Sequence, residues 1–441
     1  MQTSFTLAQL ADPDLAEADK ILRACVHCGF CTATCPTYVL DGNELDSPRG
    51  RIYLIKDMLE HDRPANAEVT LHVDRCLSCL ACMTACPSGV HYMHLVDQAR
   101  AHIERTYRRP LGERLLRSVL AKVMPYPRRF RFALAAARLG KPFTPIAAAV
   151  GLKRLAAMLG LAPNRWPHRP LEPQTFPAAG KQQGRVILLA GCVNDVLAPD
   201  INAATIRLLT RHGIEVVIAQ DAGCCGSLVH HMGREGEALA QARANIDAWL
   251  AAGDADAIVI NTSGCGTTVK DYGFMLRTDS AYAEKASRVS ALAKDVCEYL
   301  ATLPLKAASP DLGLTVAYHS ACSLQHGQRV TRQPKDILGR LGLTVMDVPD
   351  GHLCCGSAGT YNILQPDIAK RLRKRKVGTI ERLRPDLIAA GNIGCITQIA
   401  AGTELPVIHT VELIDWATGG LPPRRLSGRQ PDAAARAAVV K

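Results

Sequence analysis

Eight cysteines near the start of the chain form two runs that share the pattern C-x2-C-x2-C-x3-C followed by proline. They are Cys25, Cys28, Cys31 and Cys35 in the first run and Cys76, Cys79, Cys82 and Cys86 in the second. Three thiolates at this spacing can hold one face of an iron–sulfur cube. Two zinc knuckles are the alternative, but zinc sites usually combine two separated C-x2-C pairs. The spacing therefore predicts two [4Fe–4S] clusters.

The fourth cysteine of each run stands directly before proline. In two-cluster ferredoxins this cysteine ligates the cluster of the other run. We therefore expect the runs to exchange their fourth ligands. The first cluster would bind Cys25, Cys28, Cys31 and Cys86, and the second would bind Cys76, Cys79, Cys82 and Cys35.

Two arginines lie between the runs, close to the first run in sequence. Arg49 and Arg51 precede or begin a segment whose apolar residues recur at helical spacing, so we predict an amphipathic helix from about Arg51. A guanidinium beside a negatively charged cluster would favour the reduced form. A solvated start of a helix is the alternative, and the sequence leaves both open.

A second group of cysteines recurs at a constant offset of 130 residues. The first set is Cys192, Cys224, Cys225 and Cys265, and the second is Cys322, Cys354, Cys355 and Cys395. Gly226 and Gly356 recur at the same offset and leave room for close approach of the backbone. The constant offset indicates a tandem duplication with a possible four-thiolate metal site in each copy. Buried, inert cysteines are the alternative reading, and Cys297, outside the repeat, is read as a core residue.

The elements around these later cysteines alternate between strand and helix. Segments such as "RVILLAGC" and "AIVINTSGC" read as buried strands, and "INAATIRLLTRHG" reads as a helix. This alternation predicts parallel sheets, with the cysteines at strand ends where ligands bind in such sheets. We predict a multidomain α+β protein with a mostly helical two-cluster ferredoxin-type module at 1–100. A basic helical linker at 101–180 and tandem α/β domains at 181–305 and 306–441 follow.

The chain resembles a known family of iron–sulfur subunits. The double cysteine run followed by two CCG-type domains, with "ILRACVHCGFCTATCPTY", "SPRGRIYLIK", "GCCG", "HLCCGSAGTY" and "GNIGC", resembles the glycolate oxidase iron–sulfur subunits. The fuller CCG pattern ends each repeat in C-x2-C, but Thr262 and Asn392 stand at the first of those positions. The five-thiolate cluster of heterodisulfide reductase is therefore not implied, although four thiolates suffice for an ordinary cluster.

The resemblance implies partners and a place in the cell. It implies flavin-binding subunits that oxidise glycolate to glyoxylate, with D-lactate as a second substrate. This chain would pass the electrons on to an acceptor such as quinone, at the cytoplasmic face of the inner membrane. Related subunits serve lactate or glycerol-3-phosphate dehydrogenases, which remain alternatives. A thiol–disulfide reductase is a rival function, but the missing fifth cysteines count against it.

The composition describes an ordinary globular protein, with 48% hydrophobic and 21% charged residues. Residues 100–170 are the exception, because sixteen Lys or Arg stand there against Glu104 and Glu113. This stretch could dock on an acidic partner, lie on an anionic membrane leaflet, bind nucleic acid, or be a solvated linker. We expect no nucleic-acid partner because no recognised binding motif accompanies the charge, although a DNA-binding redox sensor stays a rival class. Neither a signal peptide nor a transmembrane segment is predicted.

A relay fits the sequence better than an enzyme with its own substrate site. No G-x-G-x-x-G motif follows a predicted strand, so neither NAD nor flavin is expected in this chain. We assign no catalytic residue. His319, His326 and His409 lie near the second repeat and are expected to be structural histidines with satisfied hydrogen bonds. The chemistry on a substrate is expected on a flavin in another chain.

Overall fold

The structure is a computed structural model that describes residues 1–162, 166–308 and 312–426. The last part of the domain predicted at 306–441 therefore lies outside the described residues. The described chain comprises an N-terminal helical region, four further helices in a segment rich in basic residues, and two α/β units with one sheet each.

The N-terminal region is helical, and both cysteine runs lie in the connections between its helices. Its helices are α1 (Leu7–Leu10), α2 (Pro13–Ala24), α3 (Pro36–Asp41), α4 (Pro48–Glu60), α5 (Ala67–Asp74), α6 (Ala81–Ala85) and α7 (Tyr92–Thr106). Proline begins α2, α3 and α4, where its missing N–H leaves no hydrogen bond unmade. Ile55, Val73 and Leu95 pack together in the core of this region.

The basic segment continues as helices that pack on both α/β units. They are α8 (Leu111–Val123), α9 (Pro127–Gly140), α10 (Thr144–Ala149) and α11 (Lys153–Gly160). Ala121 packs with Val229 of the first unit, and Leu120 packs with Ile363 of the second. The segment is thus a helical layer that covers both units.

The first α/β unit surrounds a sheet in the order β1-β3-β2-β4-β5. Its strands are β1 (Gln174–Phe176), β2 (Gly184–Leu189), β3 (Ile214–Ile218), β4 (Ala257–Ile260) and β5 (Ala293–Asp295). Its helices are α12 (Asn194–Leu197), α13 (Pro199–Arg211), α14 (Ser227–His231), α15 (Glu235–Ala251), α16 (Ser263–Lys270), α17 (Tyr272–Met275), α18 (Ala283–Leu292) and α19 (Val296–Leu300). All pairings are parallel except that of β1, which runs antiparallel to β3 at the edge.

The second α/β unit repeats this plan around a fully parallel sheet in the order β7-β6-β8-β9. Its strands are β6 (Thr315–His319), β7 (Thr344–Asp347), β8 (Leu387–Ala390) and β9 (Val407–His409). Its helices are α20 (Gln333–Arg340), α21 (Tyr361–Leu364), α22 (Pro366–Glu381), α23 (Ile393–Ala400) and α24 (Thr410–Ala417), and a π-helical turn spans Ser323–Gly327. Strands β4 and β8 are buried along their whole length, because helices cover both faces of each sheet.

The two units share one continuous hydrophobic core. Side chains of both sheets belong to it, among them Leu188 of the first unit and Ile388 of the second. Helix α13 contacts α24, and Asp415 on α24 accepts ion pairs from Arg207 and Arg211 on α13 at 2.7 and 2.8 Å. The duplicated units therefore pack together through a shared core and are not two separate domains joined only by a linker.

The predicted fold class is confirmed, with the antiparallel edge strand β1 as an addition. Helix α4 begins at Pro48, three residues before the predicted start, because Ser47 caps it by accepting a hydrogen bond from Gly50 N. The exact domain boundaries stay a prediction. Helix α7 runs across the boundary proposed at residue 100, so the helical region and the basic segment share an element.

Candidate iron–sulfur sites

The two cysteine runs adopt the same unusual backbone. His27 and Gly29 in the first run have positive φ, as do Ser78 and Leu80 at the equivalent positions of the second run. Positive φ is costly for a residue with a side chain and persists where surrounding structure requires it. In the second run, Ser78 N donates to Cys76 Sγ at 3.5 Å. The paired loops thus wrap around their cysteines in the same way.

Cysteines from both runs meet in one cavity on the outer side of the helical region. Cys25, Cys28 and Cys31 of the first run line it together with Cys86 of the second, and Cys82 also reaches it. Cys28 is exposed, and so are Val26 and Phe30 beside it. This cavity is therefore close to the protein surface.

A second cavity lies deeper and is lined by the other predicted set of four cysteines. Cys76, Cys79 and Cys82 line it together with Cys35 from the first run. Cys35, Cys76 and Cys82 are buried. Each cavity thus contains three cysteines of one run and the fourth cysteine of the other, and Cys82 lies between the two cavities. Two [4Fe–4S] clusters with exchanged fourth ligands need these donors, so the cysteines fit that group.

Three thiols of these sites are poor acids without a metal. Burial, with Cys25 nearby, raises the pKa of Cys31 to about 11. Burial, with other thiols nearby, also raises the pKa of Cys79 and of Cys82 well above the usual range. Because metal binding deprotonates thiols and compensates their charge, the clustering of these cysteines suits a metal-loaded state.

Arg51 is the charged partner of the deeper cavity. It is fully buried, and its Nη1 donates to Cys35 Sγ at 3.7 Å while its Nη2 donates to Thr37 Oγ1 at 3.0 Å. Burial alone would lower the pKa of Arg51, but the charges of Cys76, Tyr92, Cys35 and Asp46 raise it. The guanidinium therefore stays charged against the sulfur atoms.

Asp46 holds that guanidinium in place. This buried carboxylate accepts from Arg51 Nη2 at 3.3 Å, from His72 Nδ1 at 2.9 Å and from Arg75 Nη1 at 2.8 Å. Arg49 behaves differently, because it pairs with Glu44 at 2.7 Å near the surface and lines only the outer cavity. Of the two arginines, Arg51 is thus the one buried against a cysteine.

The deeper cavity faces the second α/β unit. Leu77 and Cys79 of the second run pack in one apolar cluster with Cys322 and Cys354. Across the same boundary, Tyr361 Oη donates to Arg75 O at 3.0 Å. The helical region therefore presents its inner cysteine set to the cysteines of the second repeat.

The repeat cysteines converge at the carboxyl ends of their parallel strands. In the first repeat Cys192 Sγ donates to Cys224 Sγ at 3.5 Å. This contact lowers the pKa of Cys224 and, together with burial, raises that of Cys192. Contacts with Cys224 and Cys265, together with burial, raise the pKa of Cys225. The four thiols thus form one group, as a metal site requires.

The second repeat builds the same group. Contact with Cys354 and burial raise the pKa of Cys322. Cys355 Sγ and Cys395 Sγ lie within 4.8 Å of each other. Asn392, in place of the fifth cysteine, donates to Cys395 Sγ at 3.4 Å. An amide can support a sulfur ligand in this way, but it brings no thiolate of its own.

The glycine after each cysteine pair is required by the backbone. Gly226 and Gly356 have φ of 86° and 89°, which side chains rarely adopt. A Cβ at Gly356 would lie 2.6 Å from Ala369 O of helix α22, and one at Gly226 would lie 3.0 Å from Ala238 O. These glycines let the cysteine loops pack directly on the following helix.

Comparison with known proteins agrees with these sites. The 4Fe-4S dicluster domain family matches residues 24–90, and the cysteine-rich domain family (CCG) matches residues 186–270 and 316–400. The glycolate oxidase iron-sulfur subunit of Escherichia coli (strain K12) is 45% identical over 423 residues, which cover 95% of this chain and 99% of that one. The chain belongs to the family of glycolate oxidase iron–sulfur subunits. The resemblance stated from the sequence is confirmed, and this family member is an iron–sulfur protein with more than one cluster.

Other relatives extend the comparison. A probable glycolate oxidase iron-sulfur subunit of Bacillus subtilis (strain 168) is 30% identical over 425 residues, 90% of this chain and 94% of that one. Lactate utilization protein A of Halalkalibacterium halodurans is 25% identical over 238 residues, 52% of this chain and 96% of that one. A crystal structure of a hypothetical protein from Helicobacter pylori superposes with a TM-score of 0.55 at 9% identity, over 94% of this chain and 74% of that one, and shows a shared fold.

The three histidines near the second repeat differ from one another. His326 Nδ1 bonds Thr84 Oγ1 at 2.8 Å and its Nε2 bonds His352 O at 3.2 Å. His409 bonds Asn261 O at 2.9 Å and Val411 N at 3.1 Å. The expectation of satisfied structural histidines holds for these two.

The same expectation is wrong for His319. Neither of its ring nitrogens has a hydrogen-bond partner among the described residues, although its side chain is fully buried. Burial, with a smaller contribution from Lys376, lowers its pKa to about 3, so the ring is neutral. A signal was present in the sequence, because Leu189 stands at the equivalent position of the first repeat. A polar residue where the other copy is apolar marks a site that has diverged.

None of the described helices combines the length and the apolar character needed to cross a bilayer.

Proposed function

We propose that this chain is the electron-transfer subunit of a glycolate-oxidising complex. In this proposal flavin-binding partner subunits oxidise glycolate to glyoxylate, and this chain carries the electrons to an acceptor such as quinone. The observation that carries the proposal is the succession of cysteine sets. An outer set at the surface is followed by a buried inner set, which packs against the cysteines of the second repeat.

The residues of each set have defined parts in the proposal. Cys25, Cys28, Cys31 and Cys86 would hold one cluster, and Cys76, Cys79, Cys82 and Cys35 would hold the other. A [4Fe–4S] cluster in such a site takes up or releases a single electron without a substrate. Arg51 compensates negative charge at the inner set, and the apolar packing of Leu77 excludes water between that set and the second repeat.

The electron donor is proposed to dock over the outer set. Cys28 is exposed there, flanked by Val26 and Phe30, whose side chains are 66% and 68% exposed. Exposed large apolar side chains beside a redox site suit a partner surface. A flavoprotein subunit at this place would come close to the outer cysteines without disturbing the buried ones.

The test uses the chain assembled with its flavoprotein partners under anaerobic conditions. Glycolate should bleach the visible iron–sulfur absorbance of the wild-type complex. Cys79→Ser at the inner set should block onward transfer to a quinone analogue. Cys297→Ser is the matched control, because Cys297 is a buried core cysteine outside all the sets. A complex that is not reduced by glycolate would refute the substrate, and equal quinone reduction by both variants would refute the relay.

D-lactate is a second candidate substrate. It is favoured by the match of half of this chain to lactate utilization protein A over almost all of that protein's length. The same anaerobic assay distinguishes the two substrates, because glycolate and D-lactate can each be added alone. Bleaching by D-lactate at a rate comparable with that by glycolate would place both in the substrate range.

The basic helices are proposed to attach the subunit to the cytoplasmic face of the inner membrane. Large apolar side chains are exposed along them, among basic residues. They are Leu111, Leu115, Val119, Phe132, Leu139, Phe143, Ile146, Val150, Leu152 and Leu155. Exposed apolar groups can enter the interface of a bilayer, and basic residues are attracted to anionic lipids by about 1 kcal/mol each.

Cosedimentation with vesicles tests this attachment. The full chain should bind vesicles that contain anionic lipid and should bind neutral vesicles more weakly. Phe132→Ser with Phe143→Ser should reduce binding even at low salt, whereas raised salt should weaken only the charge contribution. Equal binding by the wild type and this double variant, or no binding to either vesicle, would refute a membrane surface in this region.

A further inference from the structure

The two repeats share their cysteines but differ directly behind them. His319 ends strand β6, three residues before Cys322, and Lys376 lies on helix α22. At the offset of 130 residues the first repeat has Leu189 and Ile246, which are both buried and apolar. The second copy of the duplicated site therefore carries two buried nitrogen groups that the first copy lacks.

His319 is positioned toward the cysteines of its own repeat. A ring nitrogen of His319 and the sulfur atoms of Cys355 and Cys395 all lie within 4.8 Å of one another. The side chain is fully buried, and both ring nitrogens lack a partner among the described residues. Buried polar groups in folded proteins are almost always paired, so this exception needs an explanation. A ligand between the imidazole and the thiols supplies one.

Lys376 is the second independent observation. It is 3% exposed, and its Nζ donates to Asp350 O at 2.8 Å. Burial lowers the pKa of Lys376, and the nearby Cys322, Cys355 and Cys354 oppose that shift. Burying a positively charged ammonium beside neutral thiols is costly. Metal-bound thiolates carry negative charge, so they would compensate the charge of a buried ammonium and reduce that cost.

We propose that His319 is a fifth ligand of the metal centre in the second repeat, together with Cys322, Cys354, Cys355 and Cys395. The first repeat has no imidazole at the matching place and offers thiolates alone. A neutral imidazole adds a metal ligand without adding negative charge, whereas a cysteine thiolate at the same place would add one negative charge. This inference rests on the proposal that the second repeat holds a metal.

The first test is a crystal structure of the anaerobically prepared full chain, with diffraction data collected at the iron edge. We expect anomalous density among the second-repeat cysteines, with a metal about 2.1 Å from a ring nitrogen of His319. A metal held by the cysteines, with the imidazole outside bonding distance, overturns the inference and leaves the relay intact. Absence of metal from the second repeat overturns the inference as well, while metal at the two N-terminal sets would still support electron transfer there.

The second test is made in solution and does not depend on crystals. His319→Leu reproduces the first repeat and should release second-repeat iron to a chelator at least about tenfold faster. His319→Cys should restore retention and shift the potential of that centre to a more negative value. His409→Asn is the control, because His409 is equally buried at a strand end but has both ring nitrogens paired. Unchanged retention in a folded His319→Leu variant would overturn the inference.

Discussion

Arg51 gives the sharpest prediction about how the protein sets the properties of the inner cysteine set. We consider Arg51→Met, which keeps most of the side-chain volume and removes the charge. Arg51 is 1% exposed and donates to Cys35 Sγ at 3.7 Å, so no solvent lies between the guanidinium and the sulfur. Removing the charge should make addition of an electron at this site less favourable.

The size of the effect follows from the distance. Two unit charges 3.7 Å apart interact by about 4.5 kcal/mol at an effective dielectric constant of about 20. If the added charge is shared among four thiolates, the part on Cys35 corresponds to about 1.1 kcal/mol. That equals about 50 mV for a one-electron couple. We therefore expect Arg51→Met to lower the reduction potential of the inner site by about 50 mV.

Redox titration of the full chain, followed by EPR, measures this shift. Arg75→Met is the matched control. The guanidinium of Arg75 pairs with the same Asp46 at 2.8 Å but has no hydrogen bond to a cysteine sulfur among the described residues. Both variants remove one cationic partner of Asp46, so a common loss of stability cancels in the comparison. Equal shifts in the two variants, or no shift in Arg51→Met, would refute the idea that the guanidinium acts on the sulfur directly.

Three further predictions concern other sites. Cys86→Ser should remove about four irons per chain from the outer set, and the EPR signal of the inner cluster should be unchanged. Loss of the inner-cluster signal instead would contradict the exchanged ligands. Lys376→Met should lower the potential of the second repeat by tens of millivolts in the same titration, and an unchanged value would show that its charge does not act there. Burial opposes ionisation of Asp97, but His230 lowers its pKa and Asp97 in turn raises the pKa of His230. The His230 contribution is complete below about pH 6.5 and is lost as pH rises through its raised pKa. Thermal melting of the wild type should show this loss, and Asp97→Asn should abolish it.

The sequence predicted the parts of the sites that depend on local spacing. The C-x2-C-x2-C-x3-C-P runs specify which thiols can share a cavity, because three cysteines at that spacing must follow one tight loop. The constant offset of 130 residues likewise predicted two equivalent cysteine groups at strand ends. The first kind of information lies within a few residues of each cysteine, and the second appears when the two halves of the repeat are compared.

Long-range packing was not accessible from the sequence in the same way. Arg49 and Arg51 differ by two positions on one helix and looked equivalent, yet one pairs with Glu44 near the surface and the other is buried against Cys35. The contact between Cys79 and the second repeat joins residues more than 240 positions apart. Such contacts depend on how whole units pack against one another, and no local pattern in the sequence predicts them.

The residues that differ between the two repeats fit the position of each repeat in the fold. The second repeat is the copy that packs against the inner cysteine set, through Cys322 and Cys354. It is also the copy that carries His319 and Lys376, and the ammonium of Lys376 would offset the negative charge of a metal–thiolate site. A site that receives electrons from a neighbouring cluster must hold an added negative charge at low cost. A buried ammonium lowers that cost, whereas the apolar Ile246 of the first repeat does not. We therefore propose that, of the two repeats, the second accepts electrons from the inner set.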